Sequence, residues 1–99
     1  MDDNVRFIKV FIPYNQYNHS AIYAYDIDVY GELSIGTIVR TSLGVGAIMV
    51  EEIPEDKLPN IDIYTIDSLA DEKTVKDFNK KWWNIILDIH QELNKKEKN

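Results

Sequence analysis

The chain has 99 residues, of which 44% are hydrophobic, and a net charge of -6 without any cysteine. This length is typical of a single domain. The missing cysteines exclude disulfides and thiolate zinc sites, and they favour a reducing compartment. The first residues have no basic, apolar leader, and no run of about 18 apolar residues occurs. We therefore expect a cytoplasmic protein without a signal peptide or a membrane contact.

The charge is unevenly distributed. Residues 1–70 carry 4 basic and 11 acidic side chains, whereas residues 71–99 carry 7 lysines and 6 acidic side chains. An acidic body repels phosphate backbones, so direct binding of nucleic acid is disfavoured. Two interpretations remain open: the acidic residues keep a small protein in solution, or they meet the basic surface of a partner.

Five short β-rich runs are separated by turn-forming residues. The predicted strands are 5–12, 21–29, 37–41, 47–53 and 61–66. Residues 14–20, which are rich in Tyr and Asn, are predicted to form an exposed loop. Alternation along the second run places Tyr23, Tyr25, Ile27 and Val29 on the core side of the sheet.

The last third of the chain changes to helical periodicity. Apolar residues recur at spacings of three and four, at Val75, Phe78, Trp82, Ile85, Ile86, Ile89 and Leu93. The predicted fold class is α+β, a small five-stranded SH3-like or OB-like β-barrel over 1–67. One long amphipathic C-terminal helix over 71–95 packs on this barrel, and residues 1–99 form a single domain.

The sequence contains no recognisable catalytic motif. His19 and His90 have no cysteine and no nucleophile-elbow serine as a partner. Asp26 and Asp28 have oxygen atoms that suit Mg²⁺ or Ca²⁺, but a metal site needs further ligands. We therefore predict no enzymatic activity, no catalytic residue, no metal and no cofactor.

Exposed aromatic and acidic residues are the candidates for binding a protein partner. The predicted contacts are Tyr14, Tyr17, Tyr30, Glu51, Glu52, Glu55, Asp56 and Trp83. Trp83 directly follows the core position Trp82, so it either fills a broad groove or lies on a partner or dimer surface. A homodimer therefore remains possible.

Three short patterns carry a family resemblance: Tyr23-x-Tyr25-Asp26, Gly36-x-x-Val39 and Gly44-x-Gly46-x-x-x-Val50. Residues 20–53 resemble the N-terminal DNA 3′-end-binding domain of the primosomal helicase, protein N-prime, and small phage proteins of similar build. The resemblance implies a small barrel that recognises a DNA strand end. The implied site consists of Arg40, Tyr23, Tyr25 and the turn at Gly44 and Gly46. In that family the third strand and the following loop are commonly basic, whereas here they contain only Arg40.

These observations favour a small acidic protein-interaction module from a phage or mobile element. It would bind a host protein with a basic surface that processes nucleic acids, and would inhibit or redirect it. A CRISPR effector nuclease is one possible target, which would make the chain an anti-CRISPR protein. The alternative is a DNA-binding accessory that recognises strand ends, and the third hypothesis is an enzyme that uses Asp26 and Asp28 with a metal.

Overall fold

A computed structural model describes residues 4–14 and 17–82. The strands are β1 (Val5–Tyr14), β2 (Tyr17–Asp26), β3 (Ile38–Thr41), β4 (Gly44–Val50) and β5 (Ser68–Leu69). The helical segments are α1 (Ile27–Tyr30), a 3₁₀ turn (Glu55–Lys57) and α2, which begins at residue 72 and is described as far as residue 82. The chain is therefore a small α+β domain, as the sequence predicts.

The five strands form one curled antiparallel sheet with the order β2-β1-β4-β3-β5. Thr65 makes an isolated bridge to Ala24 of β2, and the N–H of Asp67 donates to the carbonyl of Arg40 in β3. The segment 64–70 thus spans the open side of the sheet without forming a continuous ladder. The sheet is a half-barrel, so the five-stranded barrel predicted over 1–67 is present only in part and is not closed.

The predicted fifth strand over 61–66 is wrong. Ile61 and Tyr64 are 64% and 66% exposed, so this segment does not present one buried face and one solvated face. The residues that pair with β3 are instead Ser68 and Leu69. A two-residue strand is too short to pair along the length of both sheet edges, which explains why the barrel stays open.

The first hairpin extends through the segment that was predicted to be an exposed loop. β1 and β2 pair continuously from Val5 opposite Asp26 to Tyr14 opposite Tyr17. A two-residue connection is sufficient for a hairpin, so no longer loop is needed. At its other end β2 stops at Asp26, three residues before the predicted end of the strand.

A capping bond explains why β2 stops at that point. The Asp26 carboxylate accepts a hydrogen bond of 2.8 Å from the N–H of Asp28, and α1 begins at the intervening residue. A side-chain oxygen that binds the first N–H groups favours a helical turn over a strand. Val29 consequently lies in α1 and is 65% exposed, so its assignment to the core is wrong.

Apolar residues cover both faces of the sheet. The larger cluster contains Ile8, Val10, Ile12, Tyr23, Tyr25, Leu33, Val39, Ile48 and Ile66. The second cluster contains Ile38, Ala47 and Phe78, with Val45, Ala70, Val75 and Trp82 packed against it. Neighbouring strand residues point to opposite faces, so α2 packs on the face opposite the larger cluster.

Two core predictions are confirmed by this packing. Tyr23 and Tyr25 are buried, and the predicted apolar stripe of the helix faces the sheet at Val75, Phe78 and Trp82. The rest of the predicted helix, residues 83–95, lies outside the described residues. Within 4–14 and 17–82, no helix combines the length and the apolar composition needed to cross a membrane.

Candidate protein-binding surface

The antiparallel topology separates the connections between strands into two opposite ends of the sheet. β1 and β3 begin at the end where β2 and β4 finish. We call this the acidic end, because seven carboxylates lie at the end of β2 or on the connections that follow β2 and β4: Asp26, Asp28, Glu32, Glu51, Glu52, Glu55 and Asp56. The opposite end, which we call the hairpin end, carries the β1–β2 connection and the Ser42-Leu43 turn.

One arginine lies among these carboxylates. The Arg6 guanidinium forms a salt bridge of 3.2 Å with Glu32. Desolvation lowers the pKa of Arg6, but the hydrogen bond to Glu32 and the charges of Glu32 and Glu52 outweigh it, so the pKa is raised. Since Arg6 and Lys57, which lies in the 3₁₀ turn, cannot together balance seven carboxylates, the acidic end has an excess of negative charge.

The four acidic residues predicted as contacts differ in their accessibility to a partner. Glu51 accepts a hydrogen bond of 3.2 Å from the N–H of Ile35, and so holds the loop after α1 in place. Glu52, Glu55 and Asp56 are exposed, and the last two lie in the 3₁₀ turn. Glu51 is exposed as well, but one of its carboxylate oxygens already accepts a hydrogen bond, so it is the least available of the four to a partner.

Two of the predicted aromatic contacts, Tyr14 and Tyr17, do not lie beside the acidic residues. The N–H of Ile53 donates to the carbonyl of Phe7, which places the chain after β4 near the start of β1. Because a strand rises about 3.3 Å per residue, Tyr14 lies roughly 20 Å further along β1. The Tyr14 and Tyr17 backbones are thus at the hairpin end. Trp83 lies outside the described residues.

Tyr30 is at the acidic end, but it also supports the fold. Its side chain is half-buried and packs against the larger core cluster. Its hydroxyl donates to the carbonyl of Asp67 at 3.5 Å, a long contact that joins α1 to the segment before β5. Only part of this ring is available to a partner.

The site implied by the helicase resemblance consists of groups with internal partners. The Tyr23 and Tyr25 side chains are 3% and 1% exposed, so neither ring can stack on a base. The Tyr25 hydroxyl accepts from the N–H of Leu33 at 2.9 Å, and the Tyr23 hydroxyl lies 3.3 Å from that of Ser42. These two tyrosines therefore act in the core.

Arg40 connects the sheet to the start of α2. Its guanidinium donates to the Asp71 carboxylate at 2.9 Å and to the Thr74 hydroxyl at 2.8 Å, and Thr74 also donates to Asp71. A phosphate group would have to compete with Asp71 for this cation. The one arginine in the region of the resemblance therefore stabilises the contact between the sheet and the helix.

The Arg40–Asp71 contact predicts a pH dependence of stability. The hydrogen bond from Thr74, followed by that from Arg40, lowers the pKa of Asp71 below its ordinary 3.8. A lowered folded-state pKa gives stability that is present above the unfolded value and is lost as the pH falls through the folded one. We expect Asp71→Asn to destabilise the domain at neutral pH. We also expect this variant to lose less stability than the native chain as the pH falls below 3.8.

Urea unfolding as a function of pH measures this effect, with Asp62→Asn as an exposed control. Parallel pH profiles for the native chain and Asp71→Asn would contradict the role of the contact.

A cavity of about 340 Å³ at the hairpin end was not predicted from the sequence. Ile12, His19, Ser42 and Leu43 line it, and Leu43 is 55% exposed. These residues belong to two different hairpins, so no local pattern signals the cavity. Among the described ranges 4–14 and 17–82, no group of three or more His, Cys, Asp or Glu residues is placed to hold a metal ion.

Comparison of the chain with protein-family models, curated proteins and solved structures found no match.

Proposed function

We propose that this chain is a non-enzymatic protein-interaction module that uses its acidic end to bind a basic surface of a nucleic-acid-processing protein. The proposal rests mainly on the concentration of carboxylates at one end of the sheet. Carboxylates in an exposed group imitate the charge of a phosphate backbone, and complementary charge accelerates the encounter of two proteins. A partner that holds DNA or RNA in a basic groove has the required surface.

The internal contacts of Arg40 and the burial of Tyr23 and Tyr25 also support a protein partner over a nucleic acid. The Arg40 guanidinium is bound to Asp71 and Thr74, and both tyrosine rings are buried. Binding to single strands normally combines a basic groove with exposed aromatic rings. The acidic end carries negative charge, the opposite of the basic groove that single strands require.

The proposed consequence of binding is inhibition or redirection of the partner. A small domain that occupies a basic groove excludes the nucleic acid from it. Phages and mobile elements benefit from blocking host enzymes of this class, and a CRISPR effector nuclease is one such target. In this setting the chain acts in the host cytoplasm.

The first experiment is capture of partners from a bacterial lysate on the immobilised chain, with and without nuclease. We expect a partner that remains after nuclease treatment and that DNA displaces in competition. Capture that disappears with nuclease, together with direct binding of a 3′-ended oligonucleotide at low salt, would instead support the strand-end alternative.

A matched pair of charge variants tests the acidic end itself. Glu55→Lys/Asp56→Lys reverses two exposed charges there, whereas Glu72→Lys/Asp77→Lys makes the same change in net charge at exposed positions of α2. We expect the first variant to bind the purified partner about tenfold more weakly, mainly through slower association, and the second to bind almost normally. Equal affinities would show that the acidic end is not the contact.

A further inference from the structure

The outer edge of β2 has few hydrogen-bond partners among the described residues. β2 is the terminal strand of the sheet order and pairs with β1 along its whole length. On its outer side, the bonded residue is Ala24, whose N–H donates to the carbonyl of Tyr64 at 3.0 Å. The Ala24 carbonyl accepts from the N–H of Ile66, also at 3.0 Å.

The Ala24 bonds reveal the direction of the other backbone groups. In an antiparallel strand, alternate residues direct both their N–H and their C=O to the same side. The N–H and C=O groups of Ser20 and Ile22 therefore point away from β1, as those of Ala24 do. Within 4–14 and 17–82, no backbone group forms a hydrogen bond with them on that side. As far as the described residues show, the outward backbone groups between Asn18 and Ile22 are available for pairing.

This edge lacks the features that normally prevent strands from pairing. Natural edge strands are protected by charged side chains, prolines or bulges. Residues 17–25 contain no Lys, Arg, Asp, Glu or Pro, and the β1–β2 register has no bulge. Ser20 is exposed and Ile22 is half-buried. An incoming strand would meet the outward N–H and C=O groups of these residues and no charged side chain of β2 itself.

We propose that two copies of this chain pair through their β2 edges, antiparallel, about a two-fold axis at Ser20. In this register Ser20 lies opposite Ser20 of the second copy, and Asn18 lies opposite Ile22. The pairing ends at Ile22, because Tyr64 and Ile66 already occupy the edge at Ala24. Each strand contributes five residues to a sheet that continues through both copies.

The charge distribution favours this arrangement. The net charge of -6 makes two copies repel each other, so contact requires an uncharged surface and distant acidic ends. Antiparallel pairing at Ser20 places the two Asp26 residues twelve positions apart, about 40 Å along the strands and well beyond the screening length of about 8 Å. Parallel pairing would place the acidic ends side by side.

The same uncharged edge also favours a second copy over a foreign strand. It offers no charge by which to select a particular foreign sequence. A two-fold axis, in contrast, brings the edge to an identical edge. This pairing does not depend on the proposed function, because it leaves the acidic end exposed in both copies.

Amide hydrogen exchange tests the pairing directly. The Ala21 N–H faces β1 opposite Val10, so it is protected in the monomer and serves as an internal reference. We expect the Ser20 and Ile22 amides to exchange quickly in dilute solution and to become protected as the concentration rises. Sedimentation equilibrium should show a shift from monomer to dimer over the same range. Five-residue strands form a small interface, so association should be weak and reversible.

Two results would overturn the pairing. One is a chain that stays monomeric, with unprotected Ser20 and Ile22 amides, up to about 1 mM. The other is protection of these amides that appears only when a different protein is added, which would make the edge a site for a foreign strand.

Substitutions at Ser20 test the register. Ser20→Pro removes the outward N–H, which edge strands tolerate, whereas Ser20→Ala keeps it, and both lose the contact between the hydroxyl and the Met49 sulfur. We expect the proline variant to be monomeric and the alanine variant to dimerise normally. Dimerisation of the proline variant would contradict the pairing.

A charge exchange remains informative if the proline variant does not fold. Because Ser20 faces Ser20 of the second copy, Ser20→Lys and Ser20→Glu should each self-associate about fivefold more weakly. Their mixture should recover association as a heterodimer. Equal association of the two variants and the mixture would exclude the proposed register.

Discussion

Replacing Gly46 with alanine is expected to destabilise the domain by about 3 kcal/mol. A Cβ at this position would lie 2.6 Å from the Phe11 carbonyl oxygen and the Val10 Cγ1 atom, and 2.7 Å from the Ile12 Cγ1 atom. Phe11 lies within the β1–β4 ladder opposite Ala47, so its carbonyl can yield only if the two central strands separate. The absence of a side chain at Gly46 thus permits the close approach of β1 and β4.

The control for this prediction is Gly31→Ala. Gly31 has a φ of 71°, and a Cβ there would have no atom within 4 Å. Its ψ of -175° belongs to a backbone region that is essentially restricted to glycine, so the substitution carries backbone strain of about 1–3 kcal/mol but no steric overlap. In thermal unfolding, we expect Gly46→Ala to lower the Tm by roughly 15 °C and Gly31→Ala to lower it less. A smaller effect at Gly46 than at Gly31 would contradict the close approach of the strands.

Replacing Phe78 with alanine is expected to cost about 3–4 kcal/mol and to release α2 from the sheet. Phe78 is 6% exposed and packs with Ile38 and Ala47 in the cluster between the helix and the sheet. A short helix is only marginally stable in water without such packing. The loss is a large share of the 5–15 kcal/mol that typically stabilises a domain.

Urea unfolding followed by circular dichroism measures both the loss of stability and the loss of helix. We expect Phe78→Ala to lower the free energy of unfolding and to reduce the helical signal of the folded state. Lys80→Ala, at an exposed position of the same helix, should change the stability by about 0.5 kcal/mol or less. Similar stabilities of the two variants would mean that the packing of α2 contributes little.

Alternation and helical spacing predicted much of the core. The burial of Tyr23 and Tyr25 follows from their positions two residues apart in a strand, and the contacts of Val75, Phe78 and Trp82 follow from the 3.6-residue period. Such patterns can be read from sequence because a residue's direction within a strand or helix depends only on its near neighbours.

The ends of the elements and the candidate surfaces depended on other interactions. Asp26 ends β2 by binding the N–H of Asp28, where alternation alone predicts a strand that continues. The cavity beside Leu43, the contact of Arg40 with Asp71, and the distance of Tyr14 from the acidic end each join residues far apart in the chain. Local patterns contain no information on these pairings.

The amino-acid sequence by itself determined the acidic composition, the α+β class and the apolar faces of the main elements. Only the tertiary structure decided that the barrel stays open, that the carboxylates gather at one end and that, among the described residues, no strand pairs with the outer edge of β2. The reason is that strand register and order are set by hydrogen bonds between distant segments. A sheet edge or a charged end exists only after those segments have paired.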